Sequence, residues 1–156
     1  MKTVKHFWDL EDTCMTTWGD GCLINVSKLQ DWVEKNNVTE ITIFSFAIWN
    51  DADVERFNHE FKSKLERAFN VKVVDVVKAE TVHEVVCHAM RAAFTLSEFL
   101  SLWGKKRSFM EYCAITLKDC TAVLLDDCVP NMTVHMHDLN LVVEYVNVTK
   151  NMRNVK

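Results

Sequence analysis

Glycine and proline are scarce in this chain, with 3 Gly and 1 Pro among 156 residues. Collagen-like repeats, long flexible linkers and proline-rich disordered segments are excluded, because each of them needs these residues in quantity. The sequence also lacks any run approaching the roughly 18 apolar residues that cross a bilayer. Residues 1–6 lack the apolar stretch of a signal peptide. The sequence therefore predicts a cytoplasmic protein without a membrane partner.

Neither a CxxC pair nor a strong excess of one charge occurs. The six Cys, several of them in apolar runs, predict reduced thiols rather than disulfides or a metal cluster. The net charge is -4, and the one basic run is residues 105–107. Nucleic acid could therefore bind only at a local basic patch. Because 49% of the residues are hydrophobic and 26% charged, we expect one globular domain over residues 1–150 and a frayed tail over 151–156.

Apolar and β-branched runs alternate with helical patterns along the chain. The runs predict four strands, at residues 4–10, 40–49, 71–77 and 121–125, and further strand-like runs within 134–148. Strands separated by helices predict an α/β fold, here a three-layer α/β/α sandwich with a mainly parallel, Rossmann-like sheet. Ligands of such sheets bind at the carboxyl ends of the strands, where we therefore expect the chemistry.

Several local signals mark where the helices begin and break. Three capping boxes predict helix starts, at Ser27 with Gln30, Thr81 with Glu84, and Thr95 with Glu98. One amphipathic helix is expected after Asn50, since apolar residues recur at spacings of three and four from Val54 to Ala68. Gly104 predicts a break before a helix over residues 106–117.

Polar side chains gather where the predicted strands end. They are Asp9, Glu11 and Asp12 after the first strand, Ser45 in the second, Asp126 and Asp127 after the fourth, and Lys105 and Lys106 at a helix start. A carboxylate that attacks a phosphate is repelled unless a cation such as Mg²⁺, which prefers hard oxygen ligands, lies between the two. A hydroxyl and an ammonium group can then hold the transferring oxygens. The combination predicts phosphoryl-transfer chemistry.

These segments resemble the four motifs of the haloacid-dehalogenase-like (HAD-like) hydrolase superfamily. The first motif, hhhDxDGT, is similar to Trp8-Asp9-Leu10-Glu11-Asp12-Thr13, and the second to Ile43-Phe44-Ser45. The third-motif lysine is matched by Gly104-Lys105-Lys106, and the acidic fourth motif by Val123-Leu124-Leu125-Asp126-Asp127 with Asn131. The resemblance spans residues 7 to 131 in the family's order. It implies a phosphatase of the capless or minimal-cap type.

The resemblance assigns a role to each residue near the first strand end. Asp9 would be the nucleophile and a metal ligand. Glu11 would be the general acid/base, with its backbone carbonyl on the metal, although the family has Asp there. Asp12 stands where the family has Gly.

The remaining motifs imply the phosphate and metal contacts. Asp127 would bind the metal with Asp126 beside it, and Ser45 and one lysine would bind phosphate. Lys106 is favoured over Lys105, because Phe109, three residues further on, begins the buried helix face.

The implied function is a Mg²⁺-dependent phosphohydrolase that acts on a phosphomonoester through an aspartyl-phosphate. Residues 79–104 leave room for at most a minimal helical cap, so the site would be open to a phosphorylated small molecule or to a polymer end. A nucleotide or a nucleic-acid end is the favoured substrate, and an oligomer could close the site. The Glu11 and Asp12 departures favour the alternative, a catalytically weak or inactive HAD-like binding or regulatory protein.

Overall fold

The computed structural model describes residues 2–152, which contain a six-stranded sheet. The strands are β1 (Thr3–Trp8), β2 (Glu40–Phe44), β3 (Lys72–Val77), β4 (Cys120–Asp126), β5 (Met132–Met136) and β6 (Leu141–Asn147). Their order across the sheet is β3-β2-β1-β4-β6-β5, and every neighbouring pair is parallel except β5 with β6. The predicted α/β class and mainly parallel sheet are therefore confirmed.

Five helices connect the parallel strands. They are α1 (Val26–Lys35), α2 (Asp51–Glu60), α3 (Lys62–Phe69), α4 (Ala79–Met90) and α5 (Leu96–Thr116). The helix α1 lies between β1 and β2 in the chain, α2 and α3 between β2 and β3, and α4 and α5 between β3 and β4. The described part of the chain contains no helix that is both long and apolar enough to cross a membrane.

The hydrophobic core consists of two clusters that use alternate residues of the same strands. Trp8 and Ile43 pack with side chains from α1, α2 and α3. Their chain neighbours Phe7 and Phe44 pack with side chains from α4 and α5. Successive strand side chains point to opposite faces of a sheet. Both faces of the central strands are consequently covered, which explains why these strands are apolar throughout and why all seven residues of β4 are buried.

Two of the three predicted capping boxes are wrong. The Thr95 hydroxyl does accept a hydrogen bond from the Glu98 backbone N–H at 3.1 Å and caps α5, which confirms the third box. The helix α1, however, begins after Asn25, whose φ is 53° and whose side-chain amide donates to the Thr13 carbonyl. This contact across the chain fixes the helix start ahead of Ser27. Similarly, α4 begins after the extended Lys78, ahead of Thr81.

The single helix expected after Asn50 is two helices. The Asn50 side chain caps α2 as predicted, by accepting a hydrogen bond from the Asp53 backbone N–H. The break falls at Phe61, whose φ of -122° is not helical. The Phe61 ring is buried against Trp18, at 5.0 Å between ring centroids. The regular spacing of apolar residues passes through this break and could not reveal it.

The predicted break at Gly104 is present inside α5. Its φ of 69° and ψ of 167° interrupt the helix, a conformation that glycine adopts without a steric penalty. Residues 79–104, expected to form at most a minimal cap, form α4 and the first part of α5, and their buried side chains belong to the second core cluster. Of the expected frayed tail, residues 151–156, the last four lie outside the described residues.

Candidate active site

The functional side chains predicted at the strand ends come together at the carboxyl edge of the sheet. Asp9 directly follows β1, Ser45 directly follows β2, and Asp126 ends β4. Both β2 and β4 pair with β1, so the strand ends that carry Asp9, Ser45 and Asp126 are neighbours in the sheet. The residues line an open cavity of about 340 Å³, formed by Asp9, Glu11, Asp12, Ser45, Phe46, Ala47, Lys105, Asp126, Asp127 and Cys128.

Lys105 links the two central carboxylates. Its Nζ lies 2.9 Å from Asp9 Oδ1 and 3.3 Å from Asp126 Oδ2, and 11% of its side chain is exposed. Burial opposes the charge of this ammonium group, but the two carboxylates outweigh burial and raise the pKa of Lys105 above its ordinary value. Lys105 therefore stays charged and offsets part of the negative charge at the strand ends.

The preference for Lys106 over Lys105 was wrong. Lys106 is exposed and does not line the cavity, and its backbone carbonyl accepts a hydrogen bond from the Tyr145 hydroxyl at 2.6 Å. Lys105 follows Gly104 directly, and the non-helical backbone of that glycine separates the two parts of α5. The spacing of three residues between Lys106 and Phe109 therefore does not show which lysine side chain lies in the site.

Asp9 is held on both of its carboxylate oxygens. It is 7% exposed, and Oδ2 accepts a hydrogen bond from the Thr13 hydroxyl at 3.1 Å while Oδ1 faces Lys105. The Asp9 backbone N–H donates to the Leu125 carbonyl of β4 at 3.0 Å. The orientation of the carboxylate is thus fixed by its own loop and by the neighbouring strand. The hydrogen bond from Thr13 was not predicted, although Thr13 belongs to the first motif.

Asp126 is the most buried carboxylate of the site, with 1% exposed. Its Oδ1 accepts a hydrogen bond from the Cys128 backbone N–H at 2.7 Å. Its Oδ2 forms the ion pair with Lys105 but accepts no hydrogen bond. Burial, with the nearby Asp9 charge, raises the pKa of Asp126 to about 6, even though Lys105 opposes the shift. Asp127, expected to be a metal ligand with Asp126 beside it, is half-buried and lines the same cavity.

The pKa of Asp126 predicts a pH dependence of stability. Because its folded pKa is about 6 against an ordinary 3.8, the folded state holds this proton more tightly than the unfolded chain. The stability that this group contributes is therefore present at low pH and is lost as the pH rises from about 4 to above about 6. In metal-free buffer, Asp126→Asn should gain about 2–3 kcal/mol relative to wild type between pH 4 and 7.

Urea unfolding at a series of pH values measures this difference. Asp127→Asn is the matched control, since it removes a neighbouring carboxylate that is half-buried. We expect the pH-dependent gain of Asp126→Asn to exceed any change in this control over the same range. Curves for Asp126→Asn that run parallel to wild type from pH 4 to 7 would show that Asp126 ionises normally in the folded protein.

Glu11 and Asp12 form a tight turn at the cavity edge. The Glu11 Oε2 accepts a hydrogen bond from the Trp18 backbone N–H at 2.6 Å, so this carboxylate fastens the loop that follows. Asp12 is exposed and has a φ of 61°, the left-handed conformation that favours glycine. Its backbone N–H donates to the Met15 carbonyl at 2.7 Å. The position where the resemblance implies Gly thus has the backbone of a glycine position.

The hydroxyl of Ser45 lies at the end of the neighbouring strand. Ser45 is 2% exposed, and its Oγ accepts a hydrogen bond from the Ala47 backbone N–H at 3.3 Å. The hydroxyl proton can still be donated to a bound oxygen. Phe46, the next residue, places its ring centroid 4.9 Å from Lys105 Nζ. This contact adds a favourable cation–π interaction to the ammonium group.

The cavity suits a hard cation by its donor chemistry. Five carboxylates line it, those of Asp9, Glu11, Asp12, Asp126 and Asp127, and Lys105 is the cation among the lining residues. Ligand atoms of Asp126, Asp127 and Cys128 lie within 4.8 Å of one another. Carboxylate oxygens are the ligands that Mg²⁺ prefers, and Asp126 Oδ2, a buried oxygen, has only its ion pair with Lys105 among the described residues.

Cys128 was not predicted at this site. Its exposed thiol donates to Asp127 Oδ2 at 3.2 Å, and this carboxylate raises the pKa of Cys128 to about 11. The thiol is therefore protonated at neutral pH and contributes no charge. Cys128 lies two residues after β4 in an acidic turn. Nothing in the sequence distinguishes it from a cysteine in an ordinary loop.

Comparisons of this chain with protein-family models, with curated proteins and with solved structures found no match. The resemblance to HAD-like hydrolases therefore rests on the motif residues alone.

Proposed function

We propose that the protein is a Mg²⁺-dependent phosphohydrolase of the HAD-like type, built on a three-layer α/β/α sandwich. One observation carries the proposal. Lys105 lies between Asp9 and Asp126 at adjacent strand ends, and Ser45, at the next strand end, lines the same cavity. A nucleophilic carboxylate, an ammonium group and a hydroxyl are the groups that aspartyl-phosphate chemistry needs.

The reaction divides into two displacements at phosphorus. An Asp9 carboxylate oxygen forms a bond to phosphorus while the bond to the leaving oxygen breaks, and that oxygen takes a proton from water unless it is stable as an anion. A water oxygen then forms a bond to the phosphorus of the aspartyl-phosphate while the bond between Asp9 and phosphorus breaks, and the proton of the attacking water passes to solvent. Inorganic phosphate leaves, and the Asp9 carboxylate is restored.

Charge decides how a phosphate can approach Asp9. Five carboxylates and one ammonium group line the cavity, so a phosphate dianion is repelled by the lining residues. Bound Mg²⁺ would supply the missing positive charge and polarise the phosphate oxygens. Asp9, Asp126 and Asp127 would hold it with the Glu11 backbone carbonyl, and the Lys105 ammonium and Ser45 hydroxyl would orient the remaining phosphate oxygens.

The shape of the site bears on the substrate. The cavity is open, and residues 79–104 pack on the sheet rather than standing apart as a second domain. An open site accepts a phosphate on a large molecule as readily as one on a small molecule. A nucleotide or a nucleic-acid end is accordingly the substrate that we favour, and an oligomer could cover the cavity.

One observation favours the alternative, a catalytically weak or inactive binding protein. The Glu11 carboxylate, which the resemblance makes the general acid/base, is engaged by the Trp18 backbone N–H. A group so engaged is poorly placed to protonate a leaving oxygen. Mg²⁺-dependent hydrolysis of p-nitrophenyl phosphate decides between the two functions, because p-nitrophenolate leaves without a proton. Bound Mg²⁺ without any turnover would support the binding protein.

The engagement of Glu11 predicts the effect of its substitution. We expect wild-type kcat/KM for p-nitrophenyl phosphate to exceed that for an alkyl phosphate by at least about 10²-fold, because general acid catalysis contributes about that much. Glu11→Gln should lower both values by a similar factor. If Glu11→Gln instead slows the alkyl phosphate selectively, Glu11 is the proton donor. Asp12→Asn, which changes an exposed acid of the same cavity, is the matched control.

A further inference from the structure

The loop that follows Glu11 is fastened to α2 through Trp18. The guanidinium carbon of Arg56, a residue of α2, lies 4.7 Å from the centroid of the Trp18 ring. The Arg56 Nη2 also donates a hydrogen bond to the Trp18 carbonyl at 3.0 Å. The Trp18 ring also packs against Phe61, whose ring centroid lies 5.9 Å from the same guanidinium carbon. One arginine thus holds both the backbone and the side chain of Trp18.

The same tryptophan holds Glu11. The Trp18 backbone N–H donates to Glu11 Oε2 at 2.6 Å, and Glu11 lies two residues after Asp9 in the lining of the cavity. Arg56 itself is not among the lining residues. A continuous series of contacts therefore runs from α2 to the cavity, from Arg56 through Trp18 to Glu11.

A second attachment, at Gly21, joins the same loop to Phe61 and to α3. Gly21 has a φ of 63°, and a Cβ added to it would lie 2.5 Å from the Phe61 ring. The Gly21 backbone therefore lies closer to this ring than a residue with a side chain could. The Gly21 carbonyl accepts a hydrogen bond from Lys64 Nζ at 2.6 Å. With its far end fixed in this way, the loop is held near Glu11 by its own backbone hydrogen bonds, such as that from the Asp12 N–H to the Met15 carbonyl, and by the contacts of Arg56 with Trp18.

We propose that Arg56 is a positioning residue for the candidate site. It acts through Trp18 and keeps the Glu11 carboxylate on the Trp18 N–H, which sets the path of the backbone at Glu11. Its effect on cation binding rests on the proposed function, which places the Glu11 backbone carbonyl on the metal. Its effect on the loop does not, and can be measured separately.

Arg56→Ala tests the proposal by two readouts that do not need turnover. Hydrogen exchange over residues 11–20 should become at least about 10-fold faster, because a charged hydrogen bond and a cation–π contact are both lost. The dissociation constant for Mn²⁺, followed by electron paramagnetic resonance, should rise about 5- to 10-fold. Glu60→Gln is the matched control, since it removes the exposed Arg56–Glu60 ion pair and leaves the Trp18 contacts in place.

Combining the substitution with Glu11→Gln separates positioning from a general loss of structure. If Arg56 acts through Glu11, Arg56→Ala should change the Mn²⁺ dissociation constant less than twofold in the Glu11→Gln protein. Arg56→Lys, which retains a cation over the Trp18 ring, should restore part of the exchange protection. Unchanged loop exchange in Arg56→Ala, or independent effects of the two substitutions, would overturn the proposal. If wild type binds no Mn²⁺, the proposed function fails, and hydrogen exchange in wild type, Arg56→Ala, Arg56→Lys and Glu60→Gln still decides the role of Arg56.

Discussion

Asp9→Asn should abolish Mg²⁺-dependent hydrolysis of p-nitrophenyl phosphate, with a loss of at least about 10³-fold in kcat. The amide has nearly the same shape as the carboxylate, but it is a poor nucleophile and carries no charge for a cation. The fold should survive, because Lys105 keeps Asp126 as its partner after the substitution. We expect the free energy of unfolding to change by no more than about 1 kcal/mol, since one negative charge leaves a crowded acidic site.

Asp12→Asn is the matched control for this loss. It also removes one carboxylate from the cavity lining, but Asp12 is exposed, and Asn tolerates the left-handed backbone at this position. We expect its kcat to stay within about threefold of wild type, because neither proposed displacement uses the Asp12 side chain. Equal losses in the two variants would mean that the cavity needs only its total negative charge, and Asp9 would have no special role.

Lys105→Met should have the largest effect on stability. It removes the ammonium group from between two buried carboxylates, which leaves Asp9 and Asp126 facing each other without compensation. Breaking a buried ion pair in this way typically costs about 3–5 kcal/mol. Turnover should be lost as well, because the proposed phosphate contact goes with the side chain. Urea unfolding and the phosphatase assay on the same protein sample measure both effects.

The pH dependence shows whether the loss comes from charge. The pKa of Asp126 is already raised to about 6 with Lys105 present, and removing Lys105 should raise it further. Because protonation relieves the repulsion, the deficit of Lys105→Met relative to wild type should shrink as the pH falls from the higher pKa of Asp126 in the variant to about 6, its value in wild type. Lys106→Met is the matched control, since its side chain is exposed and no change is expected. A deficit that stays constant with pH would indicate lost packing instead.

The strand pattern and the acidic strand ends could be predicted because both are local. A strand that is covered on both faces must be apolar throughout, and its polar successors mark where it ends. Asp9 and Asp126 were placed at the correct edge of the sheet in this way. Their adjacency is what the HAD-like resemblance implies, since the first and fourth strands are neighbours in that topology.

The remaining features depend on contacts between distant parts of the chain. The helix break at Phe61 comes with the packing of its ring on Trp18, 43 residues away in sequence, and no periodicity records it. The choice between Lys105 and Lys106 depends on the backbone angles of Gly104, which a count of helical positions cannot supply. The hydrogen-bond partner of Glu11 is a backbone N–H in an irregular loop. Every residue except proline has this group, so no pattern of side chains predicts which one Glu11 binds.

Trapping the covalent intermediate tests the central claim most directly. The protein is incubated with Mg²⁺ and p-nitrophenyl phosphate, quenched with borohydride, digested and examined by mass spectrometry. Borohydride reduces an aspartyl-phosphate to homoserine, so the peptide that contains Asp9 should carry homoserine at position 9 only when both Mg²⁺ and substrate are present. Mg²⁺-dependent turnover with an unmodified Asp9 and reduction at another carboxylate would contradict the assignment of the nucleophile.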